Sequence, residues 1–220
     1  SDAAAHAESV TAQGRGQAPL FWEKRWISLP AAMQLLSLEF AFFFLAVLGL
    51  GWVLRPRETA FKVLLLTASY VFYGSFHPGF LALLAGVSLA TWGAGLVLSR
   101  IDASRVGARK AWLTAYLAAV LGELCFFKYY GLAAELSGAL PDLSIVLPVG
   151  ISFFTFQGVG YAVGVYRDPR EAVRSPLDVM VFMAFFPTVL SGPILRARDF
   201  IPQLSSAPAW TDANKAFWLI

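Results

Sequence analysis

The sequence predicts an all-α fold, a polytopic transmembrane helical bundle with about five to six membrane segments, and three observations carry that expectation. Of the 220 residues, 58% are hydrophobic and 14% charged, whereas a soluble globular domain is nearer half apolar and a quarter charged. The apolar residues fall in blocks, several about as long as the ~20 residues that span ~30 Å of hydrocarbon, and the polar residues collect between the blocks. Aromatic residues make up 15% of the chain, with 19 Phe, as expected of lipid-facing and interfacial surfaces.

The net charge is only +3, and no Lys/Arg run is dense enough to call for nucleic acid. Membrane topology is the better account of the basic excess. The single cysteine, Cys125, excludes an internal disulfide and any cysteine-cluster metal site, and no metal is expected.

Residues 1–19 are rich in Ala, Gln and Gly and lack periodicity, so they read as a disordered tail. No apolar core follows a basic start there, so they do not read as a signal peptide. Residues 21–26, FWEKRW, bracket charges with aromatics and suit the headgroup level. The chain therefore divides into a tail and interfacial segment, 1–30, and a membrane domain, 31–220. Spans are expected at 35–54, at 60–73 with an extension through Phe76, and at 80–98, 112–130 and 145–166. A short sixth block runs over 177–190 and ends at Ser191-Gly192-Pro193.

Loop charges orient these spans. Arg55, Arg57 and Lys62 follow the first, Arg100, Arg105, Arg109 and Lys110 the third, and Arg167, Arg170 and Arg174 the fifth, while the even-numbered loops hold no Lys or Arg. The positive-inside rule puts the odd-numbered loops in the cytoplasm. The sixth block is short, contains Pro187 and is followed at once by Arg196 and Arg198. A re-entrant hairpin that keeps both arginines on the cytoplasmic side is the favoured reading, and a crossing is the alternative. Non-helical backbone at that depth has to be shielded by protein or face a wet cavity.

Several side chains stand out. Ala82, Gly86, Ala90 and Ala94 recur every four residues in the third span, and Gly160 and Gly164 form GxxxG in the fifth. Small residues at that spacing let helix backbones approach closely, and tight packing is their expected role. Gln157 and Tyr161, four apart, share a face of the fifth helix with Thr155 nearby. They either hydrogen-bond between helices or line a substrate tunnel. Glu123, deep in the fourth span with Lys128 five residues on, is costly at membrane depth and is a functional candidate on that ground; pairing near the outer leaflet is the alternative. Arg196 and Arg198 suit a phosphate or carboxylate ligand or a lipid headgroup. His77 lies in the turn YGSFHPGF and reads as solvated. No Ser-His-Asp set, HExxH, P-loop or GxGxxG is present.

Two stretches, LPVGISFFTFQGVGYAVGVYRD (147–168) and FFPTVLSGPILRARDF (185–200), resemble the signature stretches of membrane-bound O-acyltransferases. The nearest branch is that of the alginate O-acetyltransferase membrane subunit and the D-alanyl transfer protein of teichoic acids. Residues 68–92 and the FFKYYGL of 126–132 are similar to earlier helices of that branch. One departure is Gly164, where the family pattern commonly has Asp. The resemblance implies transfer of an acyl group from a cytoplasmic thioester donor, acetyl-CoA or an acyl carrier, to a hydroxyl of an extracytoplasmic polysaccharide such as alginate. It implies a bacterial inner-membrane, multi-pass protein, with further subunits of a polysaccharide-acylation machine as partners and no bound cofactor. The family's catalytic histidine matches neither His6 nor His77 and is expected beyond Ile220, so these 220 residues alone are expected to be inactive. On that reading Gln157, Tyr161 and Glu123 are tunnel candidates, and Arg196 and Arg198 are donor-side candidates. The rival readings are a transporter built on Glu123 and the broken sixth segment, and a non-catalytic scaffold of polysaccharide export.

Overall fold

The computed structural model describes residues 38–137, 141, 143, 145–189 and 195–205. The tail, the FWEKRW segment and the Ser191-Gly192-Pro193 break lie outside the described residues. Helices make up most of the described residues, with no strand among them. The helices are α1 (Leu38–Leu54), α2 (Glu58–Phe76), α3 (Phe80–Arg100), α4 (Val106–Ser137), α5 (Ile151–Arg167), α6 (Pro176–Ala184), α7 (Phe186–Val189) and α8 (Ala197–Ser205), with a 3₁₀ turn at Pro169–Glu171 between α5 and α6. Helices α2, α3 and α4 are long and apolar enough to cross a membrane.

The predicted spans correspond to α1–α5. The fourth is much longer than expected, 32 residues, because its first two turns carry Arg109 and Lys110, which sequence reading assigns to a loop, and because it runs on to Ser137. Arg109 is buried there. Lys62 is also no loop charge; it lies inside α2 and is 6% exposed. The fifth helix starts later than expected, at Ile151, because Gly150 adopts φ 75° at its N-cap, a left-handed conformation that glycine takes without strain. The Tyr73 hydroxyl donates to the Val149 carbonyl just before that turn, 2.9 Å away.

Outward-facing apolar residues make α1 a lipid-type surface: Leu38, Phe42, Leu45, Leu48, Trp52 and Val53 are all exposed. The interior is built by α5 against α3 and α4, and by α6 against α2 and α3. The Phe186 ring sits in an aromatic nest from α1 and α2, 5.3 Å from Phe43 and 5.6 Å from Phe72 between centroids. In the α3–α4 turn the Ser104 hydroxyl and N–H both donate to Asp102, which holds that carboxyl below its ordinary range.

The small-residue spacing marks the packing seam only in part: Ala94 is buried in the core, and a Cβ on Gly164 would clash with the Glu171 carboxylate. Ala82, Gly86 and Ala90 are exposed, as is Gly160, and a Cβ at Gly86 or Gly160 would meet open space. Close approach also occurs at Gly95 and Gly158, which the spacing did not single out. A Cβ on Gly95 would lie 2.6 Å from the Tyr161 ring, and one on Gly158 would lie 2.6 Å from the Tyr116 hydroxyl and 2.9 Å from Thr91 Oγ1. The signal that misleads is spacing alone: the buried face of α3 follows Leu84, Ser88, Thr91, Gly95 and Leu98. Gly158→Ala is therefore expected to destabilise the bundle by about 1–3 kcal/mol, the usual cost of overpacking, read as a lower melting temperature in detergent. Gly86→Ala is expected to leave it unchanged.

The block after α5 folds as a hairpin whose two limbs return to the same end of α2. At its start, Asp178 of α6 pairs with Lys62, Oδ1 to Nζ 2.7 Å. Eight residues on, the Phe186 N–H donates to Ser69 Oγ, 3.2 Å. Ser69 lies 11 residues along α2 from Glu58, about 16 Å at the helical rise. Helix α8 then runs back. Phe200 packs on Phe182 and Phe185, and at its end Ser205 donates to Glu58, 2.6 Å, while the Gln203 carbonyl accepts from Arg55. The described limbs thus run out along α2 and back toward the same end, the arrangement a re-entrant hairpin would have. Arg196 and Arg198 lie on the returning limb, deeper than the basic end where α8 finishes.

Candidate functional site

The fold concentrates interior polar groups where α2, α3, α4, α5 and α6 meet. Thr91 Oγ1 donates to the Val87 carbonyl, 2.7 Å, and so accepts from the Tyr116 hydroxyl, also at 2.7 Å. Gly158, buried and without a side chain, leaves room for both hydroxyls against α5. Tyr161 is buried, its ring against Gly95 and its hydroxyl accepting from the Val173 N–H at 3.0 Å. It thereby ties the middle of α5 to the segment entering α6.

Gln157 is 4% exposed, and its Nε2 donates to the Phe182 carbonyl at 2.7 Å. It shares its buried face with Tyr161, as the spacing predicts. The carbonyl it meets lies in the last turn of α6, close to where the helix breaks. Phe185 leaves helical conformation (φ −51°, ψ 106°), and Pro187, with no N–H, sits in the first turn of α7, where proline is tolerated. Ser69, fully buried on α2, donates to the Leu65 carbonyl and accepts from the Phe186 N–H. Sequence reading missed Ser69, because a serine inside an apolar helix usually satisfies itself on its own preceding turn.

Glu123 lies on α4 and is half-buried. Its buried Oε1 has no hydrogen-bond partner among the described residues. It is not paired with Lys128, which lies over the Tyr129 ring at 5.5 Å. Arg196 and Arg198 are exposed, and Arg198 makes a loose contact with Asp199, 3.6 Å. No hydrogen bond among the described residues joins either arginine to Gln157 or Tyr161. His77 stacks on Phe80, 4.6 Å between centroids, at the end of α2 away from the basic residues. No cluster able to hold a metal occurs among the described residues.

A charged group that sequence reading did not foresee lies at the basic end. Lys62 reaches Glu58 Oε1 at 2.6 Å, Asp178 Oδ1 at 2.7 Å and Ser205 Oγ at 3.2 Å, joining α2, α6 and α8. Its legible signals were the i, i+4 pair of Glu58 with Lys62 and the helix start Ser175-Pro176-Leu177-Asp178, where Ser175 Oγ accepts from the Asp178 N–H.

Among curated proteins, the chain is 36% identical over 178 residues to the probable alginate O-acetylase AlgI of Azotobacter vinelandii, covering 76% of this chain and 35% of that protein. It is equally 36% identical to the probable alginate O-acetylase AlgI of Pseudomonas aeruginosa, covering 76% of this chain and 33% of that one. It is 26% identical to the peptidoglycan O-acetyltransferase of Helicobacter pylori, covering 74% of this chain and 37% of that protein. The chain thus spans about a third of the length of the curated relatives it matches. No protein-family model matches it, and no solved structure matches it.

Proposed function

We propose that the chain belongs to the membrane-bound O-acyltransferase family, a reading its likeness to two alginate O-acetylases and a peptidoglycan O-acetyltransferase supports, and that the protein moves an acyl group, acetyl in the first instance, from a cytoplasmic thioester donor to a hydroxyl of an extracytoplasmic polysaccharide. The residues described here form scaffold and site wall, and the general base on the acceptor hydroxyl is a residue other than His77. The protein is a multi-pass protein of the bacterial inner membrane and works with other subunits of a polysaccharide-acylation machine. The observation that carries this reading is the α6–α7–α8 hairpin. It brings an interrupted helix to bilayer depth among polar side chains of α2 and α5. Broken helices at such depth serve sites and cavities rather than anchors. Glu123, whose buried Oε1 has no hydrogen-bond partner among the described residues, is the acceptor-side wall, and Arg196 and Arg198 are the donor side.

The test uses the protein as its gene encodes it, in membrane vesicles supplied with labelled acetyl-CoA and an exopolysaccharide. Alkali-labile label on the polysaccharide is the expected result. Polysaccharide flux without transfer would establish the transporter reading instead. In the same assay Gln157→Ala and Arg196→Ala are expected to reduce transfer while the protein still inserts in the membrane, and normal transfer in both would remove them from the site.

A further inference from the structure

The α6–α7 break is made by dividing a single helical hydrogen bond between two other helices. In an uninterrupted helix the Phe186 N–H would donate to the Phe182 carbonyl, four residues back. Here the N–H donates to Ser69 of α2 at 3.2 Å, and the carbonyl accepts from Gln157 of α5 at 2.7 Å. Both clasping residues are buried, as are Phe182, Met183, Ala184 and Phe186. Neither half could be left unpaired at that depth without the cost of a stranded buried polar group. With both side chains in place, the broken helix is fully satisfied at that point. Without both, the cheapest repair is to restore the helical bond, leaving Pro187 as a kink in a continuous helix.

We infer that Ser69 and Gln157 are positioning residues that hold the α6–α7 helix broken, and that the break sets the geometry of the re-entrant segment for acyl transfer. Its link to transfer rests on the function proposed above; the clasp itself does not. Two chemically different partners, a hydroxyl that accepts and an amide that donates, come from different helices to the two ends of one missing bond. Packing alone has no need of that match. Removing one partner strands the other half of the bond, whereas removing both lets the halves rejoin.

A double-mutant cycle on Ser69→Ala and Gln157→Leu tests this. Each single variant is expected to lower the melting temperature in detergent by a few degrees. The double variant is expected to melt clearly higher than the sum of the two losses allows, since coupled sites depart from additivity. Transfer in the double variant is expected to stay at least about tenfold below wild type, as a displaced site requires, even though its stability has recovered. Ser69→Thr, which keeps the hydroxyl, is expected to restore both. Strict additivity of the melting temperatures would overturn the clasp. A double variant with wild-type transfer would overturn the positioning role. If the wild-type protein transfers no acyl group at all, the proposed function fails, while the melting cycle still decides the clasp.

Discussion

Lys62→Met is expected to destabilise the bundle by about 3–5 kcal/mol, the cost of stripping one partner from a buried ion pair. Lys62 is 6% exposed and Asp178 is 8% exposed, so the carboxylate of Asp178 would remain buried without its cation. The lysine also stands between α2, α6 and α8 through Glu58, Asp178 and Ser205. Its loss therefore loosens both limbs of the hairpin where they meet α2. The companion variant Lys62→Met/Asp178→Leu is expected to recover most of that loss, because an apolar pair of similar volume often replaces a buried ion pair at little cost. Asp178→Leu alone strands the cation and should rank with the lysine variant. Unfolding in mixed micelles, followed by tryptophan fluorescence, checks the order. A double variant no more stable than Lys62→Met would show that Asp178 is not the partner that matters. Because the pair is buried, raising the salt concentration is expected to change wild-type stability little.

The same cluster shows how far the sequence could be read. The existence and order of the five long helices were legible because hydrocarbon sets their length and the apolar blocks meet it. That the sixth block does not run on as one long helix was legible from its shortness and Pro187. Lys62 and Arg109 were read as loop charges, because a count of basic residues near span ends does not say which side chains fold inward. Each is buried against acceptors from elements far away in sequence. The shared face of Gln157 and Tyr161 followed from a spacing of four. Their partners did not, since Phe182, Val173 and Gly95 come to them only through packing. Of the small-residue stripe of α3, Ala82, Gly86 and Ala90 face outward while Ala94 is buried, for a related reason. Spacing identifies a face, and only the neighbouring helices decide whether that face is used. Ser69 had no signal at all, because its acceptor role depends on a break more than 100 residues away, |i−j| = 117.

Arg109→Met is expected to cost about 1.5–3 kcal/mol, the range for hydrogen bonds made by a charged group, and to fray the end of α5. The last carbonyls of a helix have no intrahelical donor. At α5 the Asp168 N–H takes the Gly164 carbonyl at 2.8 Å, and Arg109 supplies the Tyr166 carbonyl through Nη2 at 2.6 Å, with Val165 at 3.4 Å. The guanidinium also lies over the Tyr166 ring, 5.3 Å from its centroid, and its charge opposes the negative end of the α5 dipole. Methionine keeps much of the stem volume and loses all three effects. Lysine keeps the charge without the planar fork and should fall between. The damage should travel, since the 3₁₀ turn that follows leads to the Val173 N–H on Tyr161 and the Arg174 carbonyl on Trp92, and then to the first turn of α6. Hydrogen exchange read by mass spectrometry should therefore rise in peptides covering 164–178 in the methionine variant, while peptides from the middle of α3 stay protected. Wild-type exchange across 164–178 would mean that α5 is closed at this end without Arg109.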